Sequence, residues 1–227
     1  MHLRARRIAG GVLLVATAQY FVAEVVTAAA WVRAPYSFVR HYVSDLGIPE
    51  CLTSVDPVIC SPAHAVMNTG FVLQGVLVAS ATWLLMGELR RGWRWPVGIL
   101  GHVFAVGVIM VGLLPGSVDA GVGSESARNA LHVIGATLAI GGGMLLVGAV
   151  AGALLHAGQR RLSAAIGALA LLDGIGVVLF TIGHEATIGA TERLAVWPTT
   201  LAFVTLGVAA LHGARRAYRS PSSPSGS

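Results

Sequence analysis

The chain has 227 residues, 55% of them apolar and 11% charged, with a formal net charge of +5. Soluble domains carry about 25% charged residues, so this composition, with a mean hydropathy of +0.75, excludes an ordinary soluble domain and indicates an integral membrane protein. All 15 basic residues are arginine, grouped in short clusters between apolar runs; that pattern marks membrane topology and argues against a nucleic-acid surface, which would need a basic stripe with interleaved aromatics.

Six apolar runs are long enough to span a bilayer: Ile8–Val32, Ala63–Met86, Pro96–Leu114, Asn129–Leu155, Leu162–Gly183 and Leu194–His212. About 20 helical residues cross the hydrocarbon core. Strand alternation is absent and glycine is frequent, so helices are expected rather than a barrel. The predicted fold class is all-α: an integral membrane bundle of six transmembrane helices within residues 1–214, a loop at 33–62 and a disordered cytoplasmic tail at 215–227.

The first run follows Arg4, Arg6 and Arg7 and ends near Ala28-Ala29-Ala30, which resembles a signal cleavage site. At about 25 residues it is too long for an ordinary signal core and is read as a retained anchor. It carries one acid, Glu24. The loop at 33–62 holds Cys51 and Cys60, expected to form a disulfide. Within it Tyr36–Leu46 is expected as a short re-entrant or interfacial segment, stopped by Gly47-Ile48-Pro49. His64 and Asn68 share a face of the second run, and Arg128 and His132 repeat that spacing on the fourth. Gly112/Gly116 and Gly148/Gly152 are candidate helix seams, and Gly141-Gly142-Gly143 a candidate kink or tight crossing. Asp173 falls near the middle of the fifth run, and the spacing to His184 places both on one face. Trp31, Tyr36, Trp93, Trp95 and Trp197 read as interfacial anchors.

Arginine clusters before the first run, around Arg90-Arg91, at Arg160-Arg161 and at Arg215-Arg216 predict that both termini are cytoplasmic. The loops at 33–62, 115–128 and 184–193 are then extracytoplasmic, on a multi-pass protein of the cytoplasmic membrane. Along that boundary lie His41, Asp45, His64, Asn68, Arg128, His132, His184, Glu185, Glu192 and Arg193. Stacked at one depth, they suggest the rim of an outward-facing polar pocket for a small polar molecule or lipid headgroup. Buried acids are costly in a bilayer and need partners, so Glu24 and Asp173 are expected to extend the pocket inward.

Other chemistries fit the same residues. His64, His132 and His184 could hold zinc, with Asp45 orienting water and Ser44 beside it, as in a metal-dependent hydrolase at the outer leaflet. His64 and His132, or His102 and His156, could clamp a haem. Glu24 and Asp173 could serve proton-linked transport. Arg128 and Arg193 call for a carboxylate partner (Glu125, Glu185, Glu192, Glu24 or Asp173) or an anionic headgroup. No Walker loop, dinucleotide fingerprint or nucleophile elbow is present.

Ser44-Asp45-Leu46-Gly47, Cys60-Ser61-Pro62-Ala63-His64 with Met67-Asn68, and Gly189-Ala190-Thr191-Glu192-Arg193-Leu194 resemble a bacterial and archaeal membrane family, the domain of unknown function 998. The resemblance covers nearly the whole chain and implies a multi-span helical membrane protein, without an activity. That family usually has Phe-Pro and an acid after the third span, whereas this chain has Leu114-Pro115-Gly116 and an acid only at Asp119. More remotely, Ser44, Asp45, His64, His132 and His184 are similar in type to the zinc site of alkaline ceramidases and adiponectin receptors. The seventh span and late HxxxH of those proteins are missing.

Overall fold

The computed structural model describes residues 2–53, 56–117 and 124–219. Seven helices carry the fold: α1 (His2–Ala16), α2 (Gln19–Ala29), α3 (His64–Leu85), α4 (Arg91–Leu113), α5 (Ser124–His156), α6 (Arg160–Ile182) and α7 (Ile188–Arg219). They make six segments long and apolar enough to cross a membrane, α1 and α2 together forming the first. The first segment is interrupted because the Thr17 hydroxyl donates to the Leu14 carbonyl, and the Thr17 and Ala18 amides bond only three residues back. Such side-chain competition tightens and breaks a helix locally.

The segments pack in chain order into a closed ring, α7 returning to lie against α1, while α5 also touches α7 across the ring. Small residues set the closest approaches. A methyl group at Gly176 of α6 would lie 2.3 Å from the backbone of Leu194 on α7, so no side chain fits there. The predicted seams hold in part. A methyl group at Gly112 would lie 2.6 Å from the Asn68 carbonyl and one at Gly152 2.8 Å from the Trp93 ring, but one at Gly148 would meet nothing within 4 Å. Gly141-Gly142-Gly143, expected to permit a kink or a tight crossing, lies inside unbroken α5 and gives a tight crossing: a methyl group at Gly142 would lie 3.2 Å from the Phe104 backbone, and one at Gly143 3.1 Å from the Phe104 ring and from Thr199.

The two ends of the bundle differ. At the arginine end, Arg7 pairs with Glu88, Arg6 donates to the Trp83 carbonyl, Arg94 to the Leu89 and Gly87 carbonyls, and Arg90 to the His156 carbonyl. The other end is covered by the loop at 33–62. Cys51–Leu52 (β1) and Ile59–Cys60 (β2) pair antiparallel, and the expected Cys51–Cys60 disulfide closes this ribbon.

Within Tyr36–Leu46, expected as a short re-entrant or interfacial segment, the regular structure is a single 3-10 turn that spans Ser44–Gly47 rather than a helix. Side chains already hold the backbone groups a helix would need. Arg193 takes the carbonyls of Phe38 and His41, Glu192 takes the Val43 amide, and Asp45 takes the Tyr42 amide. One correction concerns the tail. α7 continues to Arg219, so disorder from residue 215 is not seen there; residues 220–227 lie outside the described residues, as does Asp119.

Candidate functional site

Arg193, in the second turn of α7, is the hub of the loop end. Its Nε donates to Glu24 Oε1 at 2.8 Å, and Nη1 reaches the carbonyls of Phe38, His41 and Gly189, each at 2.9 Å. Nη2 donates to the Tyr36 hydroxyl, and the guanidinium lies over the rings of Tyr36 and Phe38. The second oxygen of Glu24 accepts from Trp197 Nε1 at 3.0 Å. The pair is nearly sealed, with side-chain exposures of 4% and 1%. Every nitrogen of the guanidinium thus engages an acceptor of the chain itself. Gly189 makes this possible, because a methyl group there would lie 2.1 Å from the His41 carbonyl.

His41 completes this cap rather than lining an open pocket. Its Nδ1 accepts from the Ser37 amide at 3.0 Å, which assigns the proton to Nε2, 3.0 Å from the Val58 carbonyl. Burial pushes its pKa below the ordinary histidine value, in keeping with a neutral ring. Tyr36 stacks on His41 and Trp31 packs against both rings. Burial pushes the Tyr36 phenol up. Trp31 and Tyr36 therefore build the cap, and Trp197 braces Glu24.

Beside the cap a groove of about 780 Å³ opens between α5 and the α6–α7 hairpin. Its walls are largely apolar: Val133, Ala136 and Ile140 from α5, with Val177 and Phe180 from α6. Ser44, Asp45, His132 and Glu192 also line it, as do Arg40, Asp56 and Glu185. Asp45 is buried, its Oδ2 accepts the Tyr42 amide at 2.8 Å, and burial raises its pKa to about 7. A second cavity of about 60 Å³ lies at the centre of the ring, lined by Tyr20, Gln74, Phe104, Thr199 and Thr200. Ser44, Ala136, Ile140 and Glu192 line both spaces, so the two adjoin at Glu192.

The other predicted residues are placed as follows. His64 is half-buried with Nδ1 3.0 Å from the Ser61 carbonyl, and Asn68 donates to the Gly47 carbonyl at 2.9 Å, so both tie the loop to α3. Arg128 bonds Glu50 at 2.8 Å, a partner the sequence reading missed; the side chain of Glu125 lies outside the described residues. His132 is buried against the Leu114 carbonyl. His184 sits beyond the end of α6 and is exposed, so it does not share a helix face with buried Asp173. His102 and His156 bond carbonyls of their own helices on exposed faces. Among the described residues no three His, Cys, Asp or Glu side chains are grouped to hold a metal ion. His64, His132 and His184 are thus not grouped as one ligand set.

Residues 7–209 match the family described as protein of unknown function (DUF998). The chain belongs to this family. The matched region takes in all of the cap, with Glu24 and Arg193, and the whole groove. No curated protein and no solved structure matches the chain.

Proposed function

We propose that this member of the DUF998 family binds an amphipathic molecule that enters the groove sideways from the membrane. Its polar head rests among Ser44, Asp45, His132 and Glu192, and its apolar tail lies along Val133, Ala136, Ile140, Val177 and Phe180. The observation that carries this is the groove itself: about 780 Å³, with largely apolar walls and the buried carboxyls of Asp45 and Glu192 in its lining. The charge around it selects the head. Arg40 is paired with Asp56 at 2.9 Å, and among the described residues Asp45, Glu185 and Glu192 have no ion-pair partner. Arg193 is held by the cap. Complementarity therefore favours a hydrogen-bond-donating or cationic head over a phosphate or carboxylate.

The arginine clusters support a cap and groove on the extracytoplasmic side of the cytoplasmic membrane, with both termini inside. A disulfide in the covering loop supports that placement. Because the three histidines do not form one ligand set, the geometry supports no zinc-assisted hydrolysis through Ser44 and Asp45.

Gly141 supplies the test. It lines the groove, and a side chain there would meet nothing within 4 Å, so Gly141→Phe fills the space without a clash at Cβ. A long-chain alkylamine and the fatty acid of equal length are compared for binding to the detergent-solubilised protein. The amine is expected to bind about tenfold more tightly than the acid, or about 1.4 kcal/mol, and Gly141→Phe to abolish this binding. Amine binding should strengthen as pH rises through about 7 and Asp45 ionises, and Asp45→Asn should flatten that rise. Equal affinity for amine and acid overturns the head assignment. Unchanged binding to Gly141→Phe overturns the groove.

A further inference from the structure

Asp173 is fully buried at mid-length on α6. Its Oδ2 accepts a hydrogen bond from the Thr199 hydroxyl, while Oδ1 is buried with no partner. An ionised carboxylate can accept about four hydrogen bonds, and a charged side chain at the bilayer centre is costly unless partners surround it. Glu24 shows how this chain stabilises such a charge: an arginine on one oxygen and an indole N–H on the other. Nothing comparable reaches Asp173. Around its turn, Gly174 faces Met144 of α5 and Gly176 faces Leu194 and Ala195 of α7, and no ion pair forms there among the described residues.

Thr199 also lines the central cavity. On α7, Glu192, Val196, Thr199 and Thr200 recur at helical spacing on one face, so the face that opens the cavity at Glu192 reaches Thr199 about 10 Å deeper. Gln74 crosses from α3 to donate to Thr200 at 3.2 Å. Phe104, packed edge-on against Phe203 one turn further down α7, closes the floor. We propose that Asp173 is a neutral carboxylic acid, a proton-binding site in the middle of the bundle, that exchanges its proton through Thr199 and the central cavity with the loop end only. The space is large enough for water, which needs only about 10–15 Å³ of such volume, and water beside Thr199 and Gln74 would complete the route. This site does not depend on what the groove binds.

Infrared spectroscopy of the full-length protein in nanodiscs reads it directly. Wild type at pH 7 should show a protonated-carboxyl stretch that is lost in Asp173→Asn, shifts in Thr199→Val, and moves to the deuterated position in D₂O. Ala139→Phe, which fills the central cavity, should slow that exchange at least tenfold. Should Asp173→Asn fail to accumulate, ¹³C-aspartate labelling of a chain with Asp45, Asp56 and Asp119 changed to Asn leaves Asp173 as the sole labelled acid. No protonated band from Asp173 overturns the neutral state. A band that never exchanges, or exchanges equally fast in Ala139→Phe, overturns the route.

Discussion

Glu24 and Asp173 look alike in the sequence, each a single acid in an apolar run, and the structure gives them opposite surroundings. Glu24 lies near the loop end, with both oxygens filled by Arg193 and Trp197. Asp173 lies deeper, held on one oxygen by a threonine hydroxyl. Apolar context alone therefore does not say what a buried acid does. The partner supplied by a distant helix decides it, and here that partner comes from α7 in both cases. Where α7 offers a guanidinium the acid becomes a fastening; where it offers a hydroxyl the acid is left as a proton site.

The sharpest way to break this contrast is at the fastening. Arg193→Leu leaves Glu24 buried without its cation, and removing one partner of a buried pair costs about 3–5 kcal/mol. It also strips the Phe38, His41 and Gly189 carbonyls of their shared donor. Thermal unfolding in detergent should show a loss of that size, with the loop at 33–62 becoming sensitive to protease. Adding Glu24→Leu should recover part of it, because the stranded charge is gone, but not all, because the carbonyls stay unmet. A fully recovered double variant would show that the loop does not depend on Arg193.

A smaller effect separates the two acids from each other. Glu24→Gln and Asp173→Asn are equal changes in chemistry, each replacing a carboxyl by an amide of the same shape. Glu24→Gln removes the charge facing Arg193 and should cost several kcal/mol, whereas Asp173→Asn replaces a neutral group by a neutral group and should cost less than about 1 kcal/mol. Unfolding of the two variants side by side measures the difference. Equal losses would mean the two acids carry the same charge state.

Much of the scaffold was legible because it rests on composition and period. The apolar runs gave six spanning helices, and the paired cysteines in one loop gave the disulfide. Helix ends were less legible, as at α5, which begins before the hydrophobic run does. The site was legible only as a level in the membrane. Residues at one depth, such as His64, His132 and His184, need not meet, since depth says nothing about position around the ring, and the three take separate backbone partners or solvent. Arg193 with Glu24 was one of several pairings the residue types allowed. The aromatics were read only in part, for a related reason. Tyr36 and Trp197 also bond to the buried pair, and Trp31 packs against Tyr36 and His41 beside it. A tryptophan four residues from an intramembrane arginine, on the same helix face, was the available signal for Trp197.

The smallest predicted effect lies at the opposite end of the bundle and isolates what burial contributes. Arg7 and Glu88 are the same two residue types as Arg193 and Glu24, in contact at 2.6 Å, but with side chains 41% and 25% exposed. Water screens them and would solvate either one left alone, so such pairs are worth about 0–1 kcal/mol. Arg7→Ala should accordingly cost less than about 1 kcal/mol in the same unfolding assay, and raised salt should erase most of it. The Arg193→Leu loss should barely change with salt, because that pair is sealed from solvent. A salt-sensitive loss at Arg193, or a salt-insensitive loss of several kcal/mol at Arg7, would show that exposure does not rank these pairs, and the contrast between a fastening and a surface contact would fall with it.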